Sequence, residues 1–197
     1  MIIGLTGTYC SGKNYIAGLL EKRGLPVLDV DKLGHQVLEI EKPLILERFG
    51  KDILKSDGTI DRKLLGSRVF GNHEELAALE NIIHPAVNRE TAAWIEKQKK
   101  SCVINAALLH RSSSFSTLDA LIVVEAPVLT RLLRARKRDR LSWAELIRRF
   151  RSQKEFPSQY FRKEADIYRV KNRGHGKNSI KKTEDRINKI LSCLGYI

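Results

Sequence analysis

The residues best equipped for chemistry are Gly7, Thr8, Tyr9, Cys10, Ser11, Gly12 and Lys13, followed by Asn14 and Tyr15. Their spacing is GxxxxGK, set between an apolar run at residues 2–6 and the start of a helical pattern. Glycine at both ends lets the chain wrap until successive N–H groups point at one centre. A helix N-terminus adds partial positive charge there and Lys13 adds a full one. Such a cup holds an anion with several oxygens, as in the β- and γ-phosphates of a nucleotide. The next position often carries a Ser or Thr hydroxyl for Mg²⁺, but here it is Asn14. An amide oxygen also coordinates a hard cation, one atom further out.

Three further sets of residues have the types a transfer reaction needs. Asp29 and Asp31 follow the apolar stretch Leu25-Pro26-Val27-Leu28. The carboxyl ends of parallel strands are where α/β proteins place their sites. One of these carboxylates could take a proton from an attacking hydroxyl while the other orients it. Either could instead cap the helix expected to begin at Lys32. His84 precedes Pro85, which disfavours helix at the residue before it. That predicts a bent or broken helix with His84 at the corner, as a ligand-facing group or only as a kink. Finally, residues 131–154 hold ten Lys and Arg against Asp139 and Glu145, a local +8 within the chain's +13. A single basic patch is expected, with a modest excess elsewhere.

Composition narrows the partners. With 197 residues and 42% hydrophobic content, the chain can bury the core of one domain. No apolar run approaches the ~20 residues of a membrane span, and the first strand does not read as a secretory leader. Cys10, Cys102 and Cys193 are unclustered, which predicts neither a disulfide framework nor a zinc site and fits the cytoplasm. Cys10, inside the loop, is either an oxidation-sensitive point or a small filler. The positive charge suits nucleotide phosphates or nucleic acid. Aromatic residues, which would stack on bases, make up only 7%.

The elements that must hold these groups alternate. A first helix is expected over residues 12–22, with Ile16, Leu19 and Leu20 inward. A helix over 33–46 is broken by Pro43, and one capped by Asp61 reaches Phe70. Another starts at Glu74, is interrupted at 83–85 and resumes through Trp94. Strands are expected at 101–105, 118–125 and 165–170, and a closing helix at 179–194. Ser142 caps a helix in which Trp143, Leu146, Ile147 and Phe150 fall on one stripe, read as packing. Alternating strands and helices predict a parallel sheet covered on both faces. Residues 32–100 are too many for a simple crossover and predict a substrate-holding helical layer.

The sequence resembles the dephospho-coenzyme A kinase family along nearly its whole length. The resemblance rests on IIGLTG-x-x-x-SGK, PVLDVDKLGHQVL, DGTIDRKLLGSRVF, LENIIHPAV, LIVVEAP and RLLRARKRD, in that order. It implies a P-loop three-layer α/β fold in one domain, 1–197. Within it, 32–100 would form the helical acceptor-binding region and 128–163 an arginine-rich lid. The implied activity is ATP-dependent phosphorylation of the 3′-hydroxyl of dephospho-CoA, with ATP and Mg²⁺, in a monomer or weak oligomer without nucleic acid or membrane partners. Carried over by motif, Asp31 is the general base, and Lys13 with residues 7–15 forms the ATP cradle. Arg138 and Arg140 are lid arginines. Arg62 and His84, with Asp29 and Asp31, face the acceptor.

Three positions depart from the family pattern. Asn14 replaces Ser or Thr, residues 107–111 (Ala-Leu-Leu-His-Arg) lack the usual Pro and Glu, and Glu125 stands where Asp is common. Either the metal site is rebuilt, with Asn14 and Asp29 sharing the ion, or activity is reduced. Another nucleoside or nucleotide monophosphate kinase, and a degenerate nucleotide- or RNA-binding protein, are the alternative readings.

Overall fold

The computed structural model describes residues 1–139, 141–152, 165–174 and 176–197. The chain divides into two compact units, Met1–Leu28 with Gln98–Ile197, and Asp29–Lys97.

The first unit is built on a five-stranded sheet in the order β2-β3-β1-β4-β5. Its strands are β1 (Ile2–Gly7), β2 (Val27–Asp29), β3 (Cys102–Asn105), β4 (Ala120–Glu125) and β5 (Asp166–Lys171). β1 pairs parallel with β3 and β4, with Leu5 opposite Asn105 and Gly7 opposite Val124. β4 pairs parallel with β5. β1, β3 and β4 are apolar because both their faces are covered, and Ile3, Leu5, Val103, Ile104, Leu121 and Ile122 are all fully buried. On one face α1 (Lys13–Glu21) and the closing helix bury Ile16, Leu19, Leu20, Ile187, Ile190 and Leu191 against Val103, Ile122 and Val170. β5 forms one edge, alternating between inward Val170 and exposed Arg169 and Lys171.

The second unit is helical: α2 (Val30–Ile40), α3 (Lys42–Phe49), α4 (Arg62–Val69) and α5 (His73–Glu96). Each start has a local cause. Asp29, Asp61 and Asn72 cap α2, α4 and α5 with their side-chain oxygens, and Pro43 sits in the first turn of α3. Leu76, Leu79, Ile82 and Ile83 of α5 pack on Ile45, Phe49, Ile53, Ile60, Leu65 and Val69.

The expected break at residues 83–85 is absent, since Pro85 lies inside the 24-residue α5. Proline removes one backbone donor and crowds the turn before it. Here His84 and Pro85 are both exposed while Ile82 and Ile83 pack inward, so the freed carbonyl is on the wet side and packing holds the helix. His84 is therefore on a helix surface, not at a corner. The helix after β2 also begins earlier than expected, at Val30, which removes Asp31 from the strand and places it in the first helical turn.

The remaining helices belong to the first unit: α6 (Val128–Asp139), α7 (Trp143–Ser152) and α8 (Lys177–Cys193). Ser142 and Glu145 start α7 with a reciprocal box. Ser142 N donates to the Glu145 carboxylate at 2.9 Å, and Glu145 N donates to Ser142 Oγ at 3.3 Å. The stripe on α7 is only partly a packing surface. Leu146 is fully buried, but Trp143 is 52% exposed and Ile147 46%. Trp143 is covered by the Arg136 guanidinium, 5.6 Å above its ring. No helix among the described residues is long and apolar enough to cross a membrane.

Candidate active site

The loop between β1 and α1 is shaped by its backbone. Ser11 N donates to Thr8 O at 2.9 Å, Cys10 takes a left-handed φ of 59°, and Gly12 takes φ 92° as it leads into α1. A Cβ on Gly12 would sit 2.2 Å from Asn172 Nδ2, and one on Gly7 2.5 Å from Ser11 Oγ. Both glycines are thus fixed by close approach, and Gly12 by its left-handed conformation as well.

Two side chains grip this loop from outside. Arg134 Nη1 donates to Ser11 O at 2.9 Å and to Cys10 O at 3.4 Å, and its Nη2 donates to Asn172 Oδ1 at 3.2 Å. Asn172 Nδ2 donates to the same Ser11 carbonyl at 2.9 Å. In a trans peptide the C=O and the following N–H point in opposite directions. Holding the Ser11 carbonyl outward therefore turns the Gly12 N–H inward, toward the anion position. Asn172 reaches this point because β5 delivers it just past its last residue, with Asn172 N bonded to Glu125 O at 2.8 Å.

Above the loop stands a cluster of arginines and rings. The Tyr9 hydroxyl donates to the Asp139 carboxylate. Arg138 lies 5.2 Å and Arg149 5.9 Å from the Tyr9 ring centroid. Arg138 also forks onto Asp139, Nε to Oδ1 at 2.7 Å and Nη2 to Oδ2 at 3.1 Å. Phe150 meets Tyr9 edge-on at 5.6 Å, and Arg131 lies 4.8 Å over Phe150. Arg131 Nε and Ser11 Oγ are buried and without a hydrogen-bond partner among the described residues. A buried donor of this kind is costly unless a ligand completes it.

Titration follows from these contacts. The Arg138 guanidinium holds the Asp139 carboxyl below the usual range, against the opposing effect of its partial burial. Burial first, and then the bond to Asp139, push the Tyr9 hydroxyl up. Burial also pushes the Cys10 thiol up, against the pull of Arg138. A raised thiol is a poor nucleophile at neutral pH.

Of the residues expected from sequence, the structure brings together the loop 7–15 and Arg138. Lys13 opens α1, half-buried, and Asn14 Oδ1 accepts from Asn105 Nδ2 at 3.4 Å. Arg140 and lid positions 153–163 lie outside the described residues. In the helical unit, Asp29 caps α2, accepting from Lys32 N at 3.1 Å with Lys32 Nζ at 3.8 Å. Asp31 is exposed in the first turn of α2, Arg62 is exposed as the first residue of α4, and His84 is exposed on α5. Sequence reasoning missed Arg131, Arg134, Arg149, Asp139, Asn105 and Asn172. A signal existed for some of them. Positions 131, 134 and 138 share one helix face, and Asn105 and Asn172 close strands at their carboxyl ends.

A parallel sheet in this order, whose first strand feeds a phosphate-binding loop roofed by arginines, defines a P-loop kinase. The fold is shared with a shikimate kinase from Bacteroides thetaiotaomicron, at 14% identity and TM-score 0.57 over 98% of both chains. The chain belongs to the dephospho-CoA kinase family, whose sequence model matches residues 1–176. It is 34% identical over 196 residues to a dephospho-CoA kinase of Shouchella clausii, covering 96% of this chain and 98% of the relative. It is 36% identical over 174 residues to that of Halalkalibacterium halodurans, covering 85% and 87%. The solved dephospho-CoA kinase from Campylobacter jejuni superimposes with TM-score 0.61 at 27% identity, over 97% of this chain and 95% of that one. TT1252 from Thermus thermophilus does so with TM-score 0.80 at 29% identity, over 98% and 96%.

Proposed function

We infer that this chain transfers the γ-phosphoryl group of ATP to the 3′-hydroxyl of dephospho-CoA, giving CoA and ADP, the last step of CoA biosynthesis. The observation that carries the phosphoryl-transfer half is the loop held by Arg134 and Asn172 beneath Arg131, Arg138 and Arg149. The acceptor follows from the family.

Transfer of this kind needs in-line positioning and neutralisation of charge on the moving group. Lys13 and the main chain of residues 10–14 hold the β- and γ-phosphates. Arg138, with Arg140, neutralises the charge that develops as the bond to the ADP oxygen breaks. Asp31 takes the proton of the attacking hydroxyl, the role that its place in the family's Asp-x-Asp motif supports, while Asp29 caps α2. Arg62 and His84 hold the acceptor.

The residues present fit Mg²⁺ of a particular kind. Asn14 offers an amide oxygen, and beside it Asn105 Oδ1 is buried and unpartnered among the described residues. No group of three His, Cys, Asp or Glu suited to a metal occurs among the described residues. Neutral amides suit a cation that takes most of its ligands from phosphates and water. When bound, that cation supplies charge neutralisation between the phosphates. Asn14 is the residue proposed to hold it. We place the reaction in the cytoplasm, in a monomer or weak oligomer.

Incubation with ATP, Mg²⁺ and dephospho-CoA should yield CoA, while nucleoside monophosphates stay unchanged. Asp31→Asn should abolish turnover and leave ATP binding within about twofold. Near-normal turnover in that variant removes the proposed base, and turnover of a monophosphate in place of dephospho-CoA moves the chain to another kinase activity.

A further inference from the structure

Charge is distributed in a way that the lid does not absorb. Residues 1–130 carry 16 Lys and Arg against 16 Asp and Glu, so they are neutral overall. The lid segment 131–154 accounts for +8, and residues 155–197 hold the remaining +5, with ten cations against five acids. The expectation of a single patch is therefore incomplete. A second concentration lies on β5 and α8.

These cations line one groove of about 570 Å³. Arg169, Lys171 and Arg173 form one side and Lys182 and Arg186 the other, with Ser179 at the α8 end. The spacing has a simple origin. Alternate residues of a strand point the same way, so Arg169 and Lys171 of β5 lie ~6.6 Å apart on the edge strand, and Arg173 follows two residues past the strand end. On α8, positions 179, 182 and 186 fall on one face, three and four residues apart. Arg186 Nε donates to the Arg169 carbonyl at 3.4 Å, joining the two sides and occupying an acceptor of the unpaired strand edge. Arg169 is drawn to Glu125 of the neighbouring strand at 3.7 Å. No carboxylate lines the groove among the described residues. Beside the Arg169–Glu125 pair, four more cations, Lys171, Arg173, Lys182 and Arg186, converge there, and their mutual repulsion is relieved when an anion is present.

We propose that this groove is a second oligophosphate site, distinct from the loop at residues 7–15, for a ligand carrying three or more linked phosphates. Its volume falls in the range of small-molecule sites. It contains none of residues 7–15, and it offers no aromatic ring among its described lining residues on which a base could stack. The side from Arg169 to Arg173 spans at most ~13–14 Å even fully extended, short for a nucleic-acid track. The groove still touches the known chemistry at one point, because Arg173 follows Asn172, whose side chain grips the loop. The proposal does not depend on the acceptor assignment above.

Calorimetric titration of the full chain with inorganic tripolyphosphate, in the absence of magnesium, counts the sites. Two per chain are expected. Lys171→Ala/Lys182→Ala should lose one, with affinity there falling at least tenfold, while Lys13→Ala should lose the other. Arg173→Ala/Arg186→Ala should repeat the first loss, so a folding failure in one pair leaves the other to decide. ATP and AMP distinguish the source of the phosphates. Groove binding of tripolyphosphate and ATP but not AMP supports recognition of the phosphate chain. A groove filled by AMP and not by tripolyphosphate overturns it. One site in the unmodified chain, or two sites that survive both paired substitutions, also overturns it. So does a groove that binds only a long single-stranded oligonucleotide.

Discussion

The Tyr9 hydroxyl and the Asp139 carboxylate are hydrogen-bonded across 130 positions of sequence, joining the phosphate loop to the last residue of α6. Asp139 is also forked by Arg138, so the same carboxylate fixes a loop side chain and a guanidinium of α6. Tyr9→Phe removes the bond and keeps the ring contacts with Phe150, Arg138 and Arg149. A hydrogen bond to a charged group contributes about 1.5–3 kcal/mol. Thermal unfolding should therefore shift down by a few degrees, and the KM for ATP should rise several-fold with kcat less affected. An unchanged KM would show that the bond does not shape the nucleotide site.

The same contact predicts a pH window. The Asp139 carboxyl is held below its usual range, so its stabilising share is complete above the ordinary value near 4 and is lost as pH falls through the lowered one. The Tyr9 hydroxyl is raised, so its share is complete below about 10 and is lost as pH rises through the raised value. The phenol NMR signal of Tyr9 should report a Tyr9–Asp139 contact constant between these limits. In Asp139→Asn the acid-side loss should vanish, while the alkaline loss persists.

Gly12→Ala should be the most damaging single methyl in the loop. It meets Asn172 Nδ2 at 2.2 Å and imposes a side chain at φ 92°. Adding Asn172→Ala opens the space but leaves the left-handed strain, of order 1–2 kcal/mol. The double variant should then recover part of the stability and little of the ATP affinity. Full recovery would mean that the close approach alone fixes this glycine.

Asn14→Thr tests the cation. A hydroxyl one atom nearer the backbone should lower the Mg²⁺ concentration for half-maximal activity several-fold, with CoA formation followed as magnesium is varied. No change would remove residue 14 from the metal's surroundings.

Sequence alone disclosed the parts whose causes are local. The phosphate loop follows from two glycines and a lysine between a strand and a helix, and the buried strands from their unbroken apolar runs. Asp61 as a helix cap was legible for the same reason. Pro85 misled because the local rule was outweighed by Leu76, Leu79, Ile82 and Ile83 packing on the helical core, a tertiary effect. The stripe on α7 misled differently, since helical spacing shows which residues share a face and not what covers it. Trp143 and Ile147 share the face of Leu146 and are exposed. The places of Arg134 and Asn172 carried a signal, but their target did not, because each acts on a backbone carbonyl more than 120 residues away.

The interrupted first unit has a consequence for how the protein is made. Met1–Leu28 is made before the rest of its unit, yet β1 pairs with strands made about a hundred residues later, and Asn172 arrives later still. Asp29–Lys97 is contiguous and can collapse on itself while translation continues. A nascent chain stalled near residue 120 would therefore carry the helical unit but no working nucleotide cup, so ATP cannot be captured before Asn172 has emerged to grip the loop.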